Sequence, residues 1–165
     1  MIYHFVCYDG MMNYRRIYTD GYSYFLTIVT HRRKPLLVEN IELLRYAFKL
    51  SKKKYDYKID AIVVLPDHLH MIMTPKISTE YSQIIGAIKR SFVYGLDEKV
   101  KQEAKAEISY SKHRRNHAGI WQERFYEHTI RDEKDWLDKM EYIKNNPLKH
   151  GLVQNSNAWK YTSFS

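Results

Sequence analysis

The chain is short of cysteine, proline and glycine: 1 Cys, 4 Pro and 6 Gly among 165 residues. A single cysteine, Cys7, excludes an internal disulfide and a cysteine-based zinc cluster. So little Gly and Pro excludes a collagen-like or low-complexity chain. No apolar run approaches the roughly 18–20 residues of a membrane span. The first ten residues hold neither a basic n-region nor an apolar h-region, so no secretory signal is expected. Acidic groups are also in deficit, with 19 Asp+Glu against 27 Lys+Arg and a net charge of +8. With 44% hydrophobic and 28% charged residues, these features describe one soluble, basic globular domain in a reducing, cytoplasmic setting. A polyanion is the first partner to consider.

Residues 1–12 read as an N-terminal extension and 13–165 as a single domain. Tyr22 to Thr30 is aromatic and β-branched and predicts a strand. Ile41, Leu44, Ala47, Phe48 and Leu50 recur at helical spacing between Val38 and Lys53, with Asn40 as a candidate cap. Ile59 to Leu65 and His68 to Thr74, split by Pro66-Asp67, predict two strands meeting at a tight turn. The first reads as buried on both faces, the second as alternating. Ile84, Ile85, Ile88, Phe92 and Leu96 mark a second helix over 78–97. Residues 98–119 lose the apolar pattern and read as a mobile basic insertion. A further strand is expected within 120–130. A last helix opens at Asp132 and is expected to stop at Asn145 or Asn146, before Pro147. The order β-α-β-β-α-β-α predicts an α+β domain, a split β-α-β (ferredoxin/RRM-like) antiparallel sheet covered by helices.

His68-Leu69-His70 is the first element with chemistry in it. Strand alternation sends both imidazoles to one face, expected to be the more open one, and Leu69 and Met71 to the core. Two adjacent nitrogen donors make half of a divalent-metal site. Taken alone, such a pair is more often a structural or merely exposed feature than a metal site. Tyr142 and Asn146 stand four apart on the last helix and share a face. Asn146 precedes proline, so its amide is expected to swing out at the helix end. On spacing alone, the pair reads as a core tyrosine followed by a polar helix terminus.

Taken together the blocks are more specific. Val64-Leu65-Pro66-Asp67-His68-Leu69-His70 resembles the HUH motif of the single-tyrosine transposases. Trp121 to Asp132 and Glu141 to Val153 resemble that family's following blocks, and Trp159-Lys160-Tyr161-Thr162-Ser163-Phe164 resembles the ending of its REP-associated branch. The resemblance spans roughly Asn13 to Phe164 and implies an HUH-endonuclease fold. It implies that His68, His70 and Asn146 hold Mg²⁺ or Mn²⁺ and that Tyr142 is the nucleophile. The implied reaction cleaves and rejoins single-stranded DNA near hairpins or palindromes through a 5′-phosphotyrosine.

Two imidazoles and a carboxamide are neutral donors that leave a cation its full charge for phosphate oxygens, and ligand chemistry alone suggests Mn²⁺ as readily as Mg²⁺. Tyr94, Tyr110 and Tyr126 compete for the nucleophile's role, yet only Tyr142 has Asn146 one turn on. Arg15, Arg16, Lys89, Arg90, Arg114, Arg115, Arg124, Lys144 and Lys149 are candidates to neutralise phosphates. Trp121 and Phe125 read as core. The chief alternative is a non-catalytic single-stranded nucleic-acid-binding module of the same fold, against which the intact histidines, Tyr142 and Asn146 argue. Bound to DNA, the protein would be nucleoid-associated, and both a monomer and a homodimer are compatible with the sequence.

Overall fold

The computed structural model describes Tyr18, residues 20–114 and residues 117–164. Four strands, β1 (Tyr24–Val29), β2 (Tyr57–Val64), β3 (His68–Pro75) and β4 (Tyr126–Thr129), form one antiparallel sheet in the order β2-β3-β1-β4. The helices are α1 (Ile41–Lys54), α2 (Tyr81–Gly95), α3 (Glu98–Ala106), α4 (Tyr110–Arg114) and α5 (Glu133–Lys149). This is the α+β split β-α-β arrangement that the sequence predicts.

The sheet separates two apolar layers. Tyr24, Leu26 and Ile28 of β1 and Leu69, Met71 and Met73 of β3 face α1 and α2, packing on Leu44, Ala47, Ile84, Ile85, Ile88 and Phe92. The alternate positions Phe25, Ile72, Ala61 and Val63 face α5 through Ile143, Trp136 and Met140. A register shift between Ile59 and Ala61 re-phases β2. Tyr57 and Ile59 before it, and Ile62 and Val64 after it, lie with the larger layer, while Ala61 and Val63 turn to the α5 side. The side chain of Asp60, at the bulge, accepts from Thr74 Oγ1 at 2.7 Å.

Strand order reverses one expectation. The strand buried on both faces is β3, which lies inside the sheet, whereas β2 is an edge strand with a mixed pattern. That edge is partly covered by the chain's last residues. Val64 N donates to Tyr161 O at 2.8 Å, Ser163 N to Ile62 O at 2.9 Å, and Trp159 Nε1 to Val64 O at 2.9 Å.

Three further expectations are corrected. The segment expected to be a mobile basic insertion holds α3 and α4 within its described residues. The Asp97 side chain caps α3 by accepting from Lys99 N. Ala104 and Ile108 are buried, and Val100 packs against the core. These three residues form an i, i+4, i+8 stripe too sparse to stand out among charges. Gly119, at φ +72°, lies so close that a Cβ there would sit 2.4 Å from the Ala104 carbonyl oxygen. Asn40 precedes α1, but its side chain donates back to Leu36 O and makes no cap bond. Pro147 does not end the last helix. Asp132 caps α5 as expected, by accepting from Asp135 N at 2.8 Å. The helix then runs through Pro147 to Lys149, with His150 N reaching Asn146 O at 3.1 Å. Proline forfeits its own backbone bond, and the side of the helix carrying Ile143, Asn146 and Pro147 is buried against the sheet.

Candidate active site

β3 aims His68 and His70 at the face covered by α5, and the cover is closer than alternation alone suggests. The two rings are 3% and 4% exposed rather than open. Each is fixed through Nδ1. His68 Nδ1 donates to Asp67 Oδ1 at 2.6 Å. His70 Nδ1 lies 2.8 Å from Thr27 Oγ1, the residue directly opposite it on β1. With Nδ1 so engaged, Nε2 is the ring nitrogen left to face a ligand, and His70 Nε2 is buried without a hydrogen-bond partner. Burial first, then the neighbouring His68 and His150, hold the His70 imidazole well below the ordinary histidine range, so it is neutral at physiological pH.

α5 brings the other two predicted residues to the same place. The Tyr142 ring lies 5.1 Å from that of His70 and 5.7 Å from that of Phe25. Phe25 in turn stacks on His70 at 5.6 Å. Asn146, one turn on, is 0% exposed, and neither of its amide atoms has a partner at hydrogen-bond geometry, although the amide comes close enough to the Tyr142 hydroxyl to favour the phenolate. Its amide is therefore held inward, not swung out at a helix end. A fully buried amide without full hydrogen bonding costs on the order of 1–3 kcal/mol, and its carbonyl oxygen, like the unpartnered Nε2 of His70, is a neutral donor atom of a kind that a cation accepts. Among the described residues no group of three or more His, Cys, Asp or Glu could hold a metal.

Burial raises the Tyr142 phenol above its ordinary value, while Asn146 beside it and the charge of Arg33 pull the other way. Tyr142 also borders a surface depression of about 290 Å³ with Asp138, Glu141, Asn145 and Lys149, so its ring sits between the buried site and solvent. Lys149 Nζ lies 5.3 Å from the Tyr142 ring centre. The extra turn past Pro147 brings the His150 ring to 5.1 Å from that of His68. Burial, then His68, lowers the His150 imidazole. Across the sheet, His128 Nε2 meets Asp135 Oδ2 at 2.7 Å and ties β4 to the start of α5.

The basic candidates divide. Arg90, Arg114, Arg124, Lys144 and Lys149 are exposed. Lys89 is turned inward instead: its amine donates to Gln122 O at 2.9 Å beside Trp121 and Phe125, and burial brings it down to about 8. Trp121 and Phe125 pack against the core as expected. Arg15, Arg16 and Arg115 lie outside the described residues. Of the competing tyrosines, Tyr94 and Tyr110 are 88% and 80% exposed, while Tyr126 lies on β4, its ring 6.4 Å from that of Phe25. The sequence reading passed over Asp67, Thr27, Arg33 and His150 as parts of the site. Asp67 was legible as the neighbour of His68. Thr27 needed the strand register, and His150 needed a helix that outlasts Pro147.

The family model described as "Transposase IS200 like" matches residues 18–146. The chain belongs to this transposase family. A Haemophilus influenzae protein provisionally named a REP-associated tyrosine transposase is 40% identical over 156 residues, covering 93% of this chain and 86% of that protein. The REP-associated tyrosine transposase of Escherichia coli K12 is 34% identical, over 93% of this chain and 83% of its own. A solved REP-associated tyrosine transposase bound to a REP hairpin superposes with a TM-score of 0.74 at 33% identity, covering 93% of this chain and 83% of that one. Among the described residues of this IS200-like transposase, no helix is long and apolar enough to cross a membrane.

Proposed function

We propose that this transposase-family protein cleaves and rejoins single-stranded DNA at hairpin-associated sites, with Tyr142 as nucleophile and His68, His70 and Asn146 holding Mg²⁺ or Mn²⁺. The observation that carries the reading is the meeting, under α5, of a half-buried phenol, two Nδ1-anchored imidazoles and a buried unpartnered amide. The solved relative's REP hairpin suggests the substrate.

In the forward step the Tyr142 oxygen forms a bond to the scissile phosphorus and the P–O3′ bond breaks. The departing 3′ oxygen takes its electron pair and a proton, leaving a 5′-phosphotyrosine. The ester conserves the bond, so another 3′-hydroxyl reverses the step without ATP. Because burial raises the phenol, attack at neutral pH requires removal of its proton as the bond forms. Asp67 and Thr27 keep the two imidazoles in one orientation. A bound cation supplies positive charge to the non-bridging oxygens as the transition state forms.

The test is incubation with 5′- or 3′-labelled single-stranded hairpin oligonucleotides and Mn²⁺, read on a denaturing gel. A denaturant-stable adduct carrying the 3′ label, absent in Tyr142→Phe while that variant still binds Mn²⁺, is expected. No adduct with any palindrome-flanking sequence, or an undiminished adduct in Tyr142→Phe, overturns the reading and favours a binding module.

A further inference from the structure

Between β1 and α1 the chain makes a short 3-10 turn, His31–Arg33, in which Arg32 and Arg33 both have φ of +54°. Two successive non-glycine residues in the left-handed region are strained and persist only where the surroundings dictate them. Here the surroundings are the turn that carries the histidines. Buried Thr30 donates its N–H to Asp67 O at 2.9 Å, and its hydroxyl shares one proton between Lys34 O and Asp67 O, at 2.8 and 2.9 Å. Leu37 N donates to Pro66 O at 2.8 Å. The two turns are thus stitched together backbone to backbone.

The strained conformation delivers Arg33 Nη1 to Asp67 Oδ2 at 3.0 Å, the carboxylate whose other oxygen holds His68. One carboxylate therefore orients both an imidazole of the site and a guanidinium. The Arg33 side chain is still 58% exposed, so donors beyond the one spent on Asp67 are open to a ligand. Only the Asp67 carboxylate stands between this guanidinium and the His68 ring, which puts Arg33 at the edge of the site.

We infer that Arg33, clamped by Asp67 on this turn, donates to a non-bridging oxygen of the scissile phosphate and stabilises the charge that accumulates there during attack by Tyr142. The inference rests on the nuclease reading above. A planar guanidinium fixed by one bidentate-capable partner is suited to phosphate geometry where a flexible ammonium is not. Strain at the turn then has a purpose: it pre-orients a cation that would otherwise lose rotamer freedom when DNA arrives.

The test compares wild type, Arg33→Gln and Arg33→Lys on two hairpin oligonucleotides that differ only at the scissile linkage, an ordinary phosphodiester or a neutral methylphosphonate. On the phosphodiester, Arg33→Gln is expected to lower the rate of adduct formation by about 10²–10³-fold, with Arg33→Lys between it and wild type. On the methylphosphonate, which is neutral before attack and carries one negative charge fewer in the transition state, Arg33 has less to offset, and wild type and Arg33→Gln are expected to react within about threefold of each other. Mn²⁺ affinity and thermal midpoint of Arg33→Gln should stay close to wild type. An Arg33→Gln rate equal to wild type on the phosphodiester overturns the inference alone, and so does an equal loss on both substrates, which marks a structural role. Absence of any adduct with wild type overturns the nuclease reading and this inference with it.

Discussion

Replacing Asn146 with leucine separates what the amide does for the fold from what it does for a ligand. The two side chains share the same branching and number of heavy atoms, so the swap keeps shape while removing both polar atoms. In the wild type those atoms are fully buried without partners, a cost of about 1–3 kcal/mol that leucine does not incur. Leucine is also the better helix former by a few tenths of a kcal/mol, and imperfect packing can take back up to about 1.5 kcal/mol. The expected balance is a gain of about 1 kcal/mol, or about 2–4 °C in Tm for a chain of this size. Manganese should then tell the two proteins apart. At a concentration about 100-fold above Kd, a ligand bound by the native state adds about 2.7 kcal/mol. If losing a donor weakens binding ten- to hundredfold, the same concentration adds only about 0.4–1.4 kcal/mol to Asn146→Leu. Differential scanning fluorimetry with and without Mn²⁺ reads both quantities. A metal-free variant less stable than wild type by more than about 1 kcal/mol would show that the amide serves the fold. Equal Mn²⁺ shifts in both proteins would remove Asn146 from the donor set.

Asp67 gives a pH signature. Burial raises its carboxyl, but the His68 hydrogen bond and the charges of His68 and Arg33 outweigh that and hold it at about 2, against an ordinary 3.8. A depressed carboxyl contributes stability above its unfolded pKa and loses it as pH falls through the folded one, here about 2 kcal/mol lost between roughly pH 4 and pH 2. Urea titrations should show the gap between wild type and Asp67→Asn closing over that window, and a constant gap would refute the assignment. Gly119→Ala should destabilise by about 2–4 kcal/mol, since φ is +72° and the new Cβ would meet the Ala104 carbonyl oxygen. Gly151→Ala, at φ +68° with open space around it, should cost only about 1 kcal/mol by the same titration.

The sheet was legible because its strands are short aromatic and β-branched or apolar runs bounded by Gly, Pro and Asp, and the HUH block placed both histidines correctly on β3. Burial was harder to read, since the sequence does not state that β3 is interior and β2 an edge. Local rules also misjudged α5: a proline normally ends a helix, but here the buried Ile143, Asn146 and Pro147 side packs against the sheet and the last turn forms. The helices at 98–114 hid behind their charges. The residues that orient the site were missed because their meaning depends on register and on the meeting of two turns. Thr27 is an ordinary strand threonine until it stands opposite His70, and Arg33 an ordinary turn residue until it reaches Asp67.

Tyr142 and Asn146 sit one turn apart on the same rod, while His68 and His70 belong to the sheet beneath it. The attacking oxygen and the amide donor cannot be repositioned separately: any excursion of α5 that lifts one from the sheet lifts the other by nearly the same distance. The proposed nucleophile and the proposed ion-binding amide are in that sense geared together, and under that proposal a loosened α5 would lose both at once, leaving a bare pair of imidazoles behind.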